Sequence, residues 1–353
     1  MAPRGAVTAE PAPVNEPFRQ VLPDLPAYRR GLVDSGARFP PEAVPTRAGG
    51  LLAALPEPPA GATGWPWDRE SPVPSGPAGA WPAITVAIPS FQQGAYLEEA
   101  LRSVLLQNHP RLECIVMDGG SSDGSRGIIE RYRPWLSHAR VGPDRGQGHA
   151  INLAFSLGTG DLFGWLNSDD MYLPGALRRV AEARLKSRAD FIYGDSLTLD
   201  QAPRRLGYAT TPLATGRYVR FAGLVPSHAS FWSAAVHQPI WEEQHCALDY
   251  ELWIRLLPGL SRAYARWPLG VYRRHAAAKT YDPGTLGRWG DDARRNALAH
   301  PGLYRNGISS RLLRLEFKAV QRLSGAWRRR GAAARMEAVC RECGWDARAL
   351  PGG

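Results

Sequence analysis

From Ile84 onward the chain alternates short β-branched apolar runs with amphipathic stretches, and this alternation restricts its fold more than any other feature. "ITVAIPS" is short, apolar and β-branched, so it predicts a buried strand. "AYLEEALRSVLLQ" follows, with Leu97, Leu101, Val104 and Leu105 at helical spacing. "LECIVMD" predicts a second strand ending in Asp118, "GSRGIIERYRPW" a helix capped by Ser122 or Asp123, and "HARVGPD" a third, short strand. "GQGHAINLAFSLG" reads as a helix stopped by Gly158 and Gly160, "DLFGWLN" as a fourth strand, and residues 174–187 as a helix before the strand "DFIYGDS". Such alternation predicts an α/β fold, a parallel sheet covered by helices. Ligands bind such sheets at the carboxyl ends of the strands. Ser90, Asp118, Asp144, Asp169, Asp170 and Asp195 all fall just past predicted strand ends.

Within "GWLNSDDMYLPG" the paired carboxylates Asp169 and Asp170 come too early to cap the next helix. Pro174 suits its first position, which makes Leu173 the cap. A solvated turn is the plain alternative, since Asp is common in turns. Several acids at one sheet edge of a chain with net charge +10 point instead to a divalent cation, Mg²⁺ or Mn²⁺, and a phosphorylated ligand. The positive charge alone suits nucleic acid, anionic lipid or a phosphorylated small molecule. No nucleic-acid-binding motif or interleaved basic and aromatic run occurs, so nucleic acid is not an expected partner.

No run reaches the 18 or so apolar residues of a membrane span, and the first residues lack the apolar centre of a secretory signal, so a cytoplasmic protein is expected. Four cysteines are too few for a disulfide framework. Cys114 lies in an apolar strand, and "CREC" at Cys340 and Cys343 has zinc-like spacing but no second pair.

Three regions are expected. Residues 1–80 hold 16 of the 31 prolines and form a partly irregular extension, touching the domain surface through Trp65 and Trp67. Lacking catalytic motifs, this extension is expected to be dispensable up to residue 75 for donor chemistry. Residues 81–280 form the catalytic domain, and residues 281–353 a helical, basic C-terminal region.

Eight segments from Ile84 to Thr280 resemble, in order and spacing, the family 2 glycosyltransferases. They are "VAIPSFQQGAYLEEALRSVLLQ", "IVMDGGSSDGS", "DRGQGHAINLAF", "TGDLFGWLNSDD", "YGD", "SHASFW", "LDYELWIRL" and "YRRHAAAKT". The resemblance implies the GT-A fold, a Rossmann-like, mostly parallel sheet flanked by helices. It also implies an inverting, metal-dependent transfer from a nucleotide-diphospho-sugar to a glycan or lipid-linked acceptor, as in polysaccharide or glycoconjugate synthesis. By the family's pattern Pro89, Ser90 and Phe91 line the nucleotide pocket. Asp118 meets the base or ribose, Arg145 faces the nucleotide, and Asp169 meets ribose or sugar. Asp170 ligates the metal directly, and His275 matches a histidine that reaches the same metal in some members. Asp249 is the base, with Glu251 as second candidate. Leu248 stands where many relatives carry an acid, and this apolar neighbour is expected to raise the Asp249 pKa. His228 and Trp232 occupy a segment where relatives carry Gln and an aromatic; Trp232 is either a sugar platform or core. His149 has no assigned role. Two other classes share parts of this pattern: a non-catalytic nucleotide-sugar-binding or assembly module, and a sugar-1-phosphate nucleotidyltransferase. The latter needs a basic Gly-rich loop that "PSFQQGAY" does not supply.

Residues 311–335 carry eight basic residues against Glu316, while Leu313, Phe317, Val320, Ser324 and Trp327 fall at helical spacing, broadened by Leu312, Leu315 and Leu323. This helix either packs on the catalytic domain with its arginines in water, or lies on an anionic membrane through residues 308–335.

Overall fold

Helix α1 (Leu25–Asp34) is the first regular element of the computed structural model, which describes residues 20–201, 204–211, 216–304 and 308–346. Asp24 caps it, accepting a hydrogen bond from Ala27 N at 3.3 Å. Apart from one 3₁₀ turn at Ala78–Ala80, neither helix nor strand follows until Ile84, as the proline density requires.

The alternation then appears as expected. β1 (Ile84–Ser90), α2 (Gly94–Leu105), β2 (Leu112–Asp118), α3 (Ser125–Tyr132), β3 (His138–Val141), α4 (Gln147–Leu157) and β4 (Leu162–Trp165) follow in turn. A two-residue strand, β5 (Met171–Tyr172), precedes α5 (Ala176–Ser187), β6 (Phe191–Gln201) and β7 (Arg204–Ala209). Beyond these lie β8 (Ser230–Ser233), α6 (Leu248–Leu256), β9 (Arg262–Arg274), α7 (Leu286–Ala299), α8 (Pro301–Tyr304), α9 (Ile308–Arg329) and α10 (Ala332–Cys343). Pro174 belongs to the turn before α5 rather than to the helix, whose N-cap is Gly175 at φ 69°.

The sheet order is β3-β2-β1-β4-β8-β6-β9-β5, with β7 paired to β6. β1, β2, β3 and β4 are mutually parallel, as are β6 and β9, and these ladders hold most of the paired residues. β5, β7 and β8 run antiparallel to their neighbours. Pro89 is tolerated in β1 because the β4 ladder has already ended at Ala87, opposite Trp165.

Successive residues of β1 and β2 supply two separate apolar cores, one per face. Ile84, Val86, Ile88, Cys114 and Val116 meet α2, α3 and α5; Ala87, Ile115 and Met117 meet α4 and α6. The N-terminal segment belongs to the same cores. Leu32 joins the α4 side, whereas Val44, Leu51, Leu55 and Trp65 join the α2 side. Trp65 is 2% exposed, and its indole N–H donates to the Tyr172 carbonyl at 2.8 Å. Arg102 of α2, fully buried, donates to the carbonyls of Pro66, Pro56 and Trp67 at 2.8–2.9 Å. The residue 80 boundary therefore does not divide the core, because Arg102 satisfies backbone carbonyls that a proline-rich segment cannot pair with itself.

The C-terminus closes the same face. Met336, Val339, Cys340 and Cys343 of α10 join the core containing Trp65, and the Trp65 N–H donates to the Cys343 carbonyl at 2.7 Å. The "CREC" cysteines are core side chains, and burial raises both thiol pKa values.

Candidate functional site

At the carboxyl ends of β1 and β4 the surface opens into a cavity of about 1330 Å³. Pro89, Ser90, Phe91, Arg145, Asp169, Asp170 and Asp249 all line it. Phe91 is 60% exposed. A Cβ at Gly119 would lie 3.2 Å from the Phe91 ring and 3.1 Å from Asp144 Oδ2, so the glycine keeps open a slot between them.

Asp118 is placed differently from expectation. It is fully buried and does not line the cavity; its Oδ1 accepts from Gly120 N at 3.0 Å and Ser121 N at 2.7 Å, and its Oδ2 from the Ser121 hydroxyl at 2.7 Å. Three local donors occupy the carboxylate, which builds the loop after β2 rather than presenting itself to a ligand.

Arg145 is held at the rim. Its guanidinium donates to Glu242 Oε2 at 2.7 Å and to the Tyr28 hydroxyl, which in turn donates to Glu242 Oε1 at 2.8 Å. Tyr28 comes from α1, so the N-terminal helix orients a cavity side chain. His149 accepts from the Arg145 N–H at 3.2 Å and meets Tyr28 edge-on at 5.4 Å, which gives it a positioning place.

The turn after β4 carries both acids of the triplet. Arg273 of β9 holds it by donating from its N–H to Asp170 Oδ1 at 3.1 Å and from its guanidinium to the Asp169 carbonyl at 2.9 Å. Arg273 is fully buried and also pairs with Glu99. His275, one residue beyond β9, places Nε2 3.2 Å from Asp169 Oδ2, while His228 places Nδ1 3.6 Å from Asp170 Oδ2. A Cβ at Gly270 would lie 2.3 Å from the His228 carbonyl oxygen, so glycine there lets the 227–229 turn press against β9.

Burial, with Asp169 adjacent, pushes the Asp170 carboxyl well above the usual carboxylate range. Burial also holds His228 neutral, with a pKa lowered to about 4. Among the described residues, His228 Nε2 and His275 Nδ1 are buried without a hydrogen-bond partner. No group of three or more His, Cys, Asp or Glu side chains forms a cation cage among the described residues. A hard divalent ion fits this donor set nonetheless, because such ions take one or two protein carboxylates and complete their shell with phosphate and water.

Asp249 stands in the first turn of α6 and lines the cavity, half-buried. Burial pushes its carboxyl up to about 6, despite the Tyr250 N–H that donates to Oδ1 at 2.8 Å. Glu251, the second candidate, is fully buried outside the cavity lining. Burial alone would raise its pKa, but His300 at 3.3 Å and Arg255 at 2.7 Å overcome this and hold it low. It is an ion-pair anchor, and the geometry removes it as a base.

Trp232 is 0% exposed, edge-on to Trp253 at 5.3 Å, so it is core rather than a sugar platform. Sequence reasoning passed over Arg273, Glu242 and Lys279. Lys279 lines the cavity and donates to Gln147 Oε1 at 2.6 Å and the His245 carbonyl at 3.0 Å. The signal for Arg273 and Lys279 was available, since both lie in the "YRRHAAAKT" segment that drew attention to His275.

Residues 85–236 match glycosyl transferase family 2. An uncharacterized glycosyltransferase of Nostoc sp. is 33% identical over 130 residues, covering 34% of this chain and 40% of that protein. TuaG of Bacillus subtilis, described as a teichuronic acid biosynthesis glycosyltransferase, is 30% identical over 115 residues, covering 32% of this chain and 46% of its own. The matched stretches thus span less than half of either relative. Among solved structures, residues 1–349 of S. aureus TarS align with a TM-score of 0.49 at 16% identity, covering 68% of this chain and 71% of that one.

Proposed function

We propose, from the match of residues 85–236 to glycosyl transferase family 2, that the chain moves a sugar from a nucleotide-diphospho-sugar to an acceptor hydroxyl with inversion. The single observation that carries the reading is that Asp170, in the turn after β4, and Asp249, in the first turn of α6, line the same cavity.

The nucleoside lies against Pro89, Ser90 and Phe91, in the slot that Gly119 keeps open. Arg145, fixed by Tyr28 and Glu242, offers planar donors to the nucleotide. Asp118 supports this pocket from behind by shaping the loop that carries Gly119. Asp170 would hold a divalent cation, Mg²⁺ or Mn²⁺, with Asp169, His275 and His228 around it. When bound, that ion would neutralise charge on a departing diphosphate.

Asp249 accepts the proton of the acceptor hydroxyl as its oxygen attacks the anomeric carbon and the nucleoside diphosphate leaves. A base with pKa near 6 is ionised at neutral pH yet more basic than an ordinary aspartate. Single displacement from the face opposite the leaving group inverts the anomeric centre, and no covalent enzyme intermediate is required. A polysaccharide or glycoconjugate acceptor agrees with the biosynthetic description of TuaG.

A panel of UDP- and GDP-sugars with Mn²⁺ or Mg²⁺, scored by donor hydrolysis and thermal shift, tests the reading. Stabilisation and hydrolysis by one donor, lost in Asp170→Ala, are expected. No response to any nucleotide sugar would overturn it.

A further inference from the structure

Helix α9 presents apolar side chains on two sides. Leu313, Phe317 and Val320 are half-buried, and the Phe317 ring stacks on Phe221 at 4.2 Å and meets Tyr218 at 5.3 Å. Glu316, the sole acid of the helix, accepts from Arg217 at 2.6 Å and from Tyr218 at 2.7 Å. This side is the packing seam with residues 216–224.

The opposite side should be polar in a helix that merely packs on its own domain. It is not. Leu312, Leu315 and Leu323 are 60%, 61% and 75% exposed. Together with exposed Ala319 and Ala326 they recur at intervals of three and four, which places them on one stripe. Arg311, Lys318, Arg322 and Arg329 flank the stripe along one edge, all exposed. Among the described residues no carboxylate pairs with any of these four cations. The side chains of 308–310, Trp327 and Arg328, part of the sequence expectation, lie outside the described residues. Arg335 faces inward, donating to the Tyr208 hydroxyl at 2.8 Å.

We propose that this exposed face of α9 docks on an anionic lipid surface, the leucines entering the headgroup boundary and the flanking cations meeting lipid phosphates. The charge pattern selects this occupant. A second copy of the helix would bring Arg311, Lys318, Arg322 and Arg329 against like charges, with Glu316 already engaged by Arg217. An interfacial helix has just this arrangement of an apolar stripe edged by Lys and Arg. No helix among the described residues is long and apolar enough to cross a membrane, so contact through α9 is peripheral.

Docking would act on the site through one packing layer. Phe221, stacked on Phe317, also lines the cavity, as does Arg220. A bilayer under α9 is therefore separated from the residue 220–221 wall of the cavity by the helix itself, which would bring a lipid-linked acceptor to the same side of the domain. That last step rests on the proposed glycosyl transfer, whereas docking itself does not.

Co-sedimentation of the full chain with phosphatidylcholine vesicles, with and without phosphatidylglycerol, tests the docking without any sugar donor. Binding to the anionic vesicles alone, fading with salt, is expected. Replacing Arg311, Lys318 and Arg322 together by Gln should weaken it on the order of a hundredfold. A Leu312→Glu, Leu315→Glu, Leu323→Glu variant, altered only at exposed positions and checked for unchanged melting, should lose it. Equal binding to both vesicle types, no binding, or undiminished binding by the leucine variant would overturn the proposal. So would a wild-type dimer in size-exclusion chromatography that the leucine variant abolishes.

Discussion

His228 Nδ1 stands 3.6 Å from Asp170 Oδ2 in the cavity wall, and both side chains are almost completely withdrawn from water. Burial favours the neutral form of each, so neither supplies the other with a full counter-charge. A divalent cation bound as proposed would favour the ionised carboxylate here and offset the cost of its burial.

Removing that provision should remove activity. Asp170→Ala should abolish donor turnover with the fold intact, because the remaining donors cannot hold a hard cation against a diphosphate. His228→Gln keeps a polar side chain but alters the neighbour of the carboxylate. It should raise the Mn²⁺ concentration for half-maximal activity by about tenfold, the usual effect of an altered surrounding shell. Metal titrations of both variants read this out, and full wild-type turnover in excess chelator would contradict it.

Asp249 gives a pH signature. With its carboxyl pushed up to about 6 by burial, kcat should rise with pH through about 6 as the base ionises. Asp249→Asn should erase that limb and lower kcat by about 10²–10⁴, with donor binding kept. The stability effect has the opposite sign. The folded state holds this proton more tightly than the unfolded chain, whose value is 3.8, so stability present at acid pH is lost as pH rises through about 6. Asp249→Asn should therefore raise the melting temperature at pH 7.5 but not at pH 3. A pH-independent kcat in the wild type would move the role to another group.

The sheet was legible because β1 and β2 are buried on both faces and so read as continuous apolar runs between helices. The antiparallel insertion β5 was not, since a strand of two residues leaves no periodicity to find. Phe91, Asp170 and Asp249 were visible as motif positions, and the cavity brings them together. Asp118 illustrates the limit. A carboxylate at a strand end serves a ligand or its own loop equally well, and only the Gly120 and Ser121 N–H directions decide. Arg102 is a stronger case. Nothing in "AYLEEALRSVLLQ" marks it out, yet it is buried against three carbonyls from 35 to 46 residues away.

Glu251 should behave as the converse of Asp249. The carboxylate is fully buried and Arg255 nearly so, in contact at 2.7 Å. Glu251→Gln leaves a buried guanidinium without its charge partner, at a cost of about 3–5 kcal/mol. A lower urea midpoint is expected, with kcat of the folded fraction close to wild type and the pH limb near 6 retained. Loss of that limb in Glu251→Gln would show that the base had been misassigned.

The proline-rich segment makes the last test, because its position reverses the expectation drawn from composition. Trp65 fills the α2-side core and ties its indole to the Tyr172 carbonyl, two residues past Asp170. Trp65→Ala should cost about 3–5 kcal/mol, the usual loss for a large buried aromatic. Deleting residues 1–75 goes further. It removes Val44, Leu51, Leu55 and Trp65 from the core and strips Arg102 of three carbonyl acceptors, leaving it the Tyr132 hydroxyl and a newly uncovered apolar surface around it. It also removes Tyr28, which braces Arg145 at the cavity rim. The truncated chain should therefore show no cooperative thermal unfolding and no nucleotide-sugar stabilisation. A truncated protein that melts cooperatively near the wild-type temperature would restore residue 80 as a true domain boundary and reduce the Trp65 contact to surface packing.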